Sequence, residues 1–303
     1  MIFSRFRLLL EMVRFSHTLF ALPFAMLSAV MAWTTPVVDG QLPRFDWLDL
    51  AGILCCMVFG RSAAMSANRI VDRDIDEANP RTARRHLPAG LLSVSSVVVF
   101  ALLNSVAFVA STCLFLPNRL PLILSLPVLL FLFGYSYTKR FTSLAHFWLG
   151  AALMLAPVSA WIAIRGEQVL QNPSDLSPAL LLGAAVLLWV AGFDMIYACQ
   201  DTEFDRRARL HSVPARWGNS TALRVAAVCH FGMVLLLVLL PTALPGLGWL
   251  YYLGLLAAAV LLAYEHSIVR PDDLTRVNVA FFQVNAVVSF GLFIIATIDL
   301  YCC

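Results

Sequence analysis

"LDLAGILCCMVFGRSAAMSANRIVDRDIDEANPRTARR", residues 48–85, starts as an apolar run and ends in a crowd of opposed charge. The run at 48–68 has the length that a helix needs to cross a bilayer. Four carboxylates (Asp72, Asp74, Asp76, Glu77) and five arginines (Arg69, Arg73, Arg81, Arg84, Arg85) follow within a few turns. A span that opens into such a loop points to a membrane protein with chemistry at one end of its helices.

Composition agrees. The 303 residues are 60% hydrophobic and 13% charged, with mean hydropathy +0.82; soluble domains carry about twice that share of charge. The apolar excess runs the whole length, so the chain reads as one integral membrane domain, residues 1–303, with no soluble domain left over. The seven cysteines lack zinc-type spacing and read as small buried hydrophobes. Cys302 and Cys303 do not form a prenylation box.

Nine apolar runs are long enough to span: 15–33, 48–68, 92–116, 121–138, 142–164, 177–199, 221–243, 246–268 and 277–300. The first follows Arg5, Arg7 and Arg14, and no small-x-small cleavage site closes it, so it reads as a retained span. With a cytoplasmic N-terminus, the basic clusters at 69–85, 139–140, 206–224 and 270–276 all fall inside. Only Arg44, Arg119 and Arg165 fall outside, and Arg61 lies within a span. Cytoplasmic loops concentrate lysine and arginine, so this asymmetry predicts nine transmembrane helices, N-terminus in and C-terminus out.

A second charged island, "GFDMIYACQDTEFDRRARLHSVPARWG" at 192–218, repeats the first. Asn68, Asp72 and Asp76 recur every four residues, and so do Tyr197, Asp201 and Asp205. On a helix this spacing stacks each set near one face, a turn apart. Carboxylates so placed repel unless a cation sits between them. Mg²⁺ suits that role, because it takes oxygen ligands and is shared between one or two carboxylates and substrate phosphates. Two facing ladders would then hold Mg²⁺ around one diphosphate. Arg81, Arg85, Lys139 and Arg140 are natural partners for the other phosphate oxygens. A solvated loop of surface ion pairs explains one ladder; two at matching depth, each followed by arginines and a proline, argue against it. Asp74 and Glu77 fall off the face and read as ordinary loop charges.

Two charges lie deeper. Arg61 is two helical turns before Asn68, and Asp194 is two turns before Asp201. Charge at that depth faces a cavity or a partner. Arg61 suits an anionic substrate group; Asp194 suits a hydroxyl or a proton, and pairing of Arg61 with Asp194 is compatible with both. His17, His86, His146 and His211 read as structural.

The pattern Asn68-Arg-x-x-Asp72-x-x-x-Asp76, followed by Arg81-Thr-x-x-Arg85-x-Leu-Pro88-x-Gly90, resembles the first signature of the UbiA superfamily of intramembrane aromatic prenyltransferases. Tyr197-x-x-x-Asp201-x-x-x-Asp205, followed by His211-Ser212-Val-Pro214, resembles the second. The resemblance covers nearly the whole chain and is nearest the bacterial 4-hydroxybenzoate polyprenyltransferase branch. "HTLFALPFAM" (17–26), "YACQD" (197–201) and "HSVPARWG" (211–218) also look like the subgroup linked to menaquinone through the futalosine route. The family's second motif usually has a glycine four residues after its last aspartate; here Arg209 stands there. An arginine at φ > 0 carries a cost, so either the turn differs or the glycine is dispensable.

The resemblance implies an all-α bundle with a central cavity capped by cytoplasmic loops, in the bacterial inner membrane, its active site facing the cytoplasm. It implies Mg²⁺-dependent transfer of a polyprenyl group from its diphosphate to a ring carbon of a phenolic acid, 4-hydroxybenzoate or dihydroxynaphthoate, in quinone biosynthesis. Asp72, Asp76, Asp201 and Asp205, with Asn68, are then the metal ligands. Arg61, Arg81, Arg85, Lys139, Arg140 and Ser212 bind substrate, and Asp194 and Tyr197 lie near the reacting ring. The partners are the diphosphate, the phenolic acid and the bilayer, not nucleic acid. A transporter is the rival of another class, but transporters place their site at the midplane. A CDP-alcohol phosphotransferase would need a composite motif that this chain lacks.

Overall fold

The computed structural model describes residues 2–13, 18–37 and 40–302. Arg14, the predicted start of the first span at Phe15, His17 and Cys303 lie outside the described residues, as do the side chains of Arg5 and Thr18. In chain order the helices are α1 (Ile2–Met12), α2 (Thr18–Thr34), α3 (Trp47–Val71), α4 (Arg73–Ala78), α5 (Val94–Ser111), α6 (Leu120–Thr138), α7 (Ala145–Gln171), α8 (Ser177–Ala198), α9 (Thr202–Arg207), α10 (Val213–Trp217), α11 (Asn219–Ala243), α12 (Trp249–Ile268), α13 (Val277–Val279) and α14 (Asn285–Cys302). A π-helical segment, Ala280–Val284, joins the last two. Among the described residues the only β pairing is an isolated bridge between Arg270 and Asp273.

Among the described residues eight helices are long and apolar enough to cross a membrane. They fall on eight of the nine predicted runs; α2, over the first, is 17 residues long. Their prolines, such as Pro127 in α6 and Pro157 in α7, are tolerated because neighbouring groups satisfy the carbonyls they free. Beside one of these prolines Ser28 of α2 donates to the Pro157 carbonyl at 2.6 Å, a bond between α2 and α7.

The chain divides into two compact units. The first comprises Met1–Leu19 and Trp47–Thr138. Here α3 packs against α5 and α6 around Ala63, Phe108 and Leu129, and a Cβ at Gly52 would run into the Phe115 ring. The end of α1 buries Met12 and Val13 against Leu87, Leu92 and Val97. Beside that contact the Arg7 guanidinium, bonded to Glu11 at 2.8 Å, holds the Glu11 carboxyl below the usual carboxylate range.

The second unit comprises Phe20–Asp46 and Lys139–Cys303. Its centre is α8, apolar all round and therefore buried on most sides: Leu182, Val186, Trp189, Val190, Met195 and Ile196 are fully covered. α8 lies so close to α7 that a Cβ at Gly150 would strike the Leu187 carbonyl. Outward residues of the long helices, such as Leu102, Leu103 and Val106 on α5 and Leu253, Leu256 and Val260 on α12, are exposed. Apolar outer faces of this kind are what lipid contact requires.

One loop charge of the sequence reading is misplaced. Arg165, expected outside the fifth run, lies within α7 at φ −115°, ψ 24° and is 1% exposed. These angles are not helical, so α7 kinks at Arg165 before continuing to Gln171, and the guanidinium is turned inward. It donates to Asp175 at 2.6 Å and to the carbonyls of Thr35 at 2.6 Å, Pro36 at 3.1 Å and Ala32 at 3.3 Å. Those carbonyls end α2, where a helix carries orphan acceptors and partial negative charge. Trp161 closes the group, donating its indole N–H to Asp175 at 3.0 Å and stacking under the guanidinium.

Candidate active site: two broken helix ends

The first ladder sits where α3 gives way to α4. The backbone stays almost helical through the break: Asp72 N–H donates to the Asn68 carbonyl at 2.9 Å, and Asp76 N–H to the Asp72 carbonyl at 2.7 Å. Asp72 itself stands at φ −93°, ψ 7°, in the sparsely allowed bridge region that many active-site residues occupy. The Asn68 amide N–H donates to Asp72 Oδ2 at 2.7 Å, which turns its amide oxygen to acceptor duty. Asp76 is buried and receives Arg85 at 2.7 Å and Arg69 at 3.3 Å. Thr82 Oγ1 donates to the Asp76 carbonyl at 3.0 Å, so the turn after α4 is folded back onto the ladder.

The second ladder repeats this construction. α8 ends at Ala198, Cys199–Asp201 form a 3₁₀ turn, and α9 begins at Thr202. Asp201 stands at φ −104°, ψ 6°, nearly the conformation of Asp72. Asp201 and Asp205 are both buried. Ser212 Oγ donates to Asp205 Oδ2 at 2.8 Å while capping α10 by accepting from the Ala215 N–H. Lys139 Nζ lies 3.9 Å from Asp205, and the Lys139 carbonyl accepts from His211 N–H at 2.7 Å. Tyr197 packs against Phe281 of the π segment, ring centroids 4.4 Å apart.

Each unit thus carries its own polar constellation: Asn68, Asp72, Asp76 and Arg85 in the first, Lys139, Asp205 and Ser212 in the second. Arg81 and Arg140 are exposed, as are Asp74 and Glu77. Arg61 keeps its Nε buried without a hydrogen-bond partner. Asp194 bonds to His146, Oδ2 to Nδ1 at 2.6 Å. Sequence reasoning left His146 as structural and gave Arg69 no role; a partner 48 positions away leaves no trace in spacing, whereas Arg69 and Asp76, seven apart, were readable as one helix face.

Residues 21–287, both ladders included, match the model of the UbiA prenyltransferase family. The chain belongs to this family. A 4-hydroxybenzoate octaprenyltransferase of Nitrosospira multiformis is 32% identical over 258 residues, 84% of this chain and 83% of that protein. A UbiA homolog from Aeropyrum pernix K1, solved in its apo form, superposes with TM-score 0.77 at 29% identity, covering 94% of this chain and 97% of that one. A UbiA homolog from Archaeoglobus fulgidus, bound to DMAPP and Mg²⁺, shares the fold with TM-score 0.62 at 17% identity, covering 94% and 98%.

In this UbiA chain the turn after the second ladder takes a left-handed residue where Arg209 stands in place of the expected glycine. Arg209 has φ 54°, and among the described residues no other non-glycine has positive φ. Leu210 N–H reaches back to the Asp205 carbonyl and Arg209 N–H to the Arg206 carbonyl. This is the Schellman closure of a helix, in which the left-handed position normally belongs to glycine. A left-handed conformation costs a side-chain-bearing residue about 1–2 kcal/mol. Arg209→Gly is therefore expected to stabilise the protein by about 0.5–1 kcal/mol once glycine's greater chain entropy is counted, read as a rise in thermal midpoint. Arg209→Ala, which keeps the Cβ, is expected to gain nothing.

The donor set suits a hard cation: carboxylates and an amide oxygen, with no thiolate or imidazole in the ladders. Among the described residues no three His, Cys, Asp or Glu side chains form a ready-made metal cage. Mg²⁺ does not need one, since it keeps several waters and completes its shell with substrate phosphates.

Proposed function

We propose that this protein transfers a polyprenyl group from polyprenyl diphosphate to a ring carbon of a 4-hydroxybenzoate-type acid, in quinone biosynthesis. The observation that carries this reading is the duplicated break, with Asp72 and Asp201 held in nearly one backbone conformation at the head of a carboxylate ladder. Family membership and the activity named for the Nitrosospira relative support it. A transporter reading finds no support among the relatives. The chain acts as a single domain of nine spans in the bacterial inner membrane, N-terminus and active site cytoplasmic, as its basic-residue asymmetry argues.

Asn68, Asp72, Asp76, Asp201 and Asp205 would hold Mg²⁺, which when bound supplies positive charge to the departing diphosphate. Arg81, Arg85, Lys139, Arg140 and Ser212 bind the remaining phosphate oxygens. Arg85 neutralises Asp76, and the diphosphate competes for that guanidinium. The ester C–O bond ionises to an allylic cation, and the phenol attacks through the carbon ortho to its hydroxyl. Loss of the ring proton restores aromaticity. Arg61, its Nε unpartnered, receives the acceptor carboxylate; Asp194 and Tyr197 lie at the reacting ring. The charged loop at 69–90 closes over the head group to exclude water that would quench the cation.

The test is an acceptor screen with purified protein, one long prenyl diphosphate and Mg²⁺, following diphosphate release and product mass. Release that depends on 4-hydroxybenzoate is expected. Release only with dihydroxynaphthoate reassigns the acceptor, and no release with any phenolic acid removes the proposal.

A further inference from the structure

His146 is fully buried near the start of α7, with both ring nitrogens engaged. Val213 N–H donates to His146 Nε2 at 3.3 Å. A nitrogen that accepts carries no proton, so the ring proton is on Nδ1 and is donated to Asp194 Oδ2 at 2.6 Å. The histidine is thereby fixed in one tautomer by two partners on different elements. Val213 is the first residue of α10, and its N–H is one of the orphan donors of that helix's start. The residue before it, Ser212, holds Asp205, and the next before, His211, is bonded to the Lys139 backbone.

We propose that His146 is a positioning residue that ties the deep carboxylate Asp194 to the turn that aims Asp205 and Lys139. The inference rests on the prenyltransferase reading above. One ring edge orients Asp194, whose side chain is 16% exposed while the imidazole is wholly covered. The opposite edge pins the 211–213 turn. The acceptor-facing group and the diphosphate-facing group of this unit are therefore registered through one rigid ring.

The two edges can be cut separately. Asparagine places its amide nitrogen near the position of Nδ1, and glutamine places its amide oxygen near that of Nε2. His146→Asn keeps a donor for Asp194 and releases Val213. It is expected to raise KM for prenyl diphosphate about ten-fold and leave the acceptor KM near wild type. His146→Gln keeps an acceptor for Val213 and releases Asp194. It is expected to raise the acceptor KM or lower kcat by about ten-fold, with the diphosphate KM little changed. A merely structural histidine would lower the folded fraction and leave both constants unchanged per folded molecule; that result, or identical effects of the two variants, overturns the proposal. Should neither variant fold, Asp194→Asn and Ser212→Ala, singly and together, test the same link with His146 intact. Coupling of about five-fold between them is expected, and log-additive effects overturn it. Asp72→Ala separates the two levels of the argument. If it keeps full turnover the prenyltransferase reading fails; if it is inactive while the His146 variants keep wild-type constants, only the positioning role fails.

Discussion

Asp201→Ala is expected to lose turnover by on the order of 10³-fold or more while the protein still inserts and folds. Asp201 is 7% exposed and stands at the break between α8 and α9, one turn from buried Asp205. Two carboxylates in that relation call for a cation between them, so the substitution removes a proposed metal ligand. Asp72→Ala should behave alike at the first ladder. The measurement is diphosphate release per folded molecule beside thermal unfolding in detergent. Full activity in either variant, or of the wild type in excess EDTA, would remove the Mg²⁺–diphosphate assignment.

Arg165→Ala is expected to destabilise the protein by about 3–5 kcal/mol, the range for stripping one partner from a buried ion pair. Two losses coincide. Asp175 is left with a charge that Trp161 alone cannot offset, and the carbonyls of Ala32, Thr35 and Pro36 lose their donor. Arg165→Lys should recover little, because a point charge cannot serve a carboxylate and three carbonyls in the directions a guanidinium fork provides. Equilibrium unfolding or thermal midpoints would check this. A midpoint within a degree or two of wild type would mean the network contributes little.

The Arg165 network also marks the limit of what the sequence made legible. Hydropathy located every long helix, because spanning segments must be apolar for about twenty residues. The four-residue rhythm located both ladders, because helical register is local. Hydropathy ended the fifth run at Arg165, since a charge scores as an exit whether it points to water or to a folded partner. Its partners at 32–36 lie some 130 positions away, beyond any periodicity. His146 was read as merely structural for the same reason. The missing glycine was a half-success: the cost of Arg209 followed from its residue type, but that Arg209 itself would take the left-handed conformation did not. The rearward bonds from Leu210 and Arg209 fix that shape, and they are backbone bonds open to any residue.

α7 carries two unlike devices, His146 near its start and Arg165 nineteen residues on, about 28 Å along the helix at ordinary rise. Their separation bears on how such an enzyme can change. On the roles proposed above, substitutions that retune which ring is accepted would gather around His146 and Asp194, where a misfit is felt as a rate. The reserve that lets the chain survive those trials is anchored at the far end, where the same substitutions do not reach. A laboratory lineage seeking new aromatic acceptors would do well to leave residues 161–175 untouched and spend its mutations at the other end of that helix.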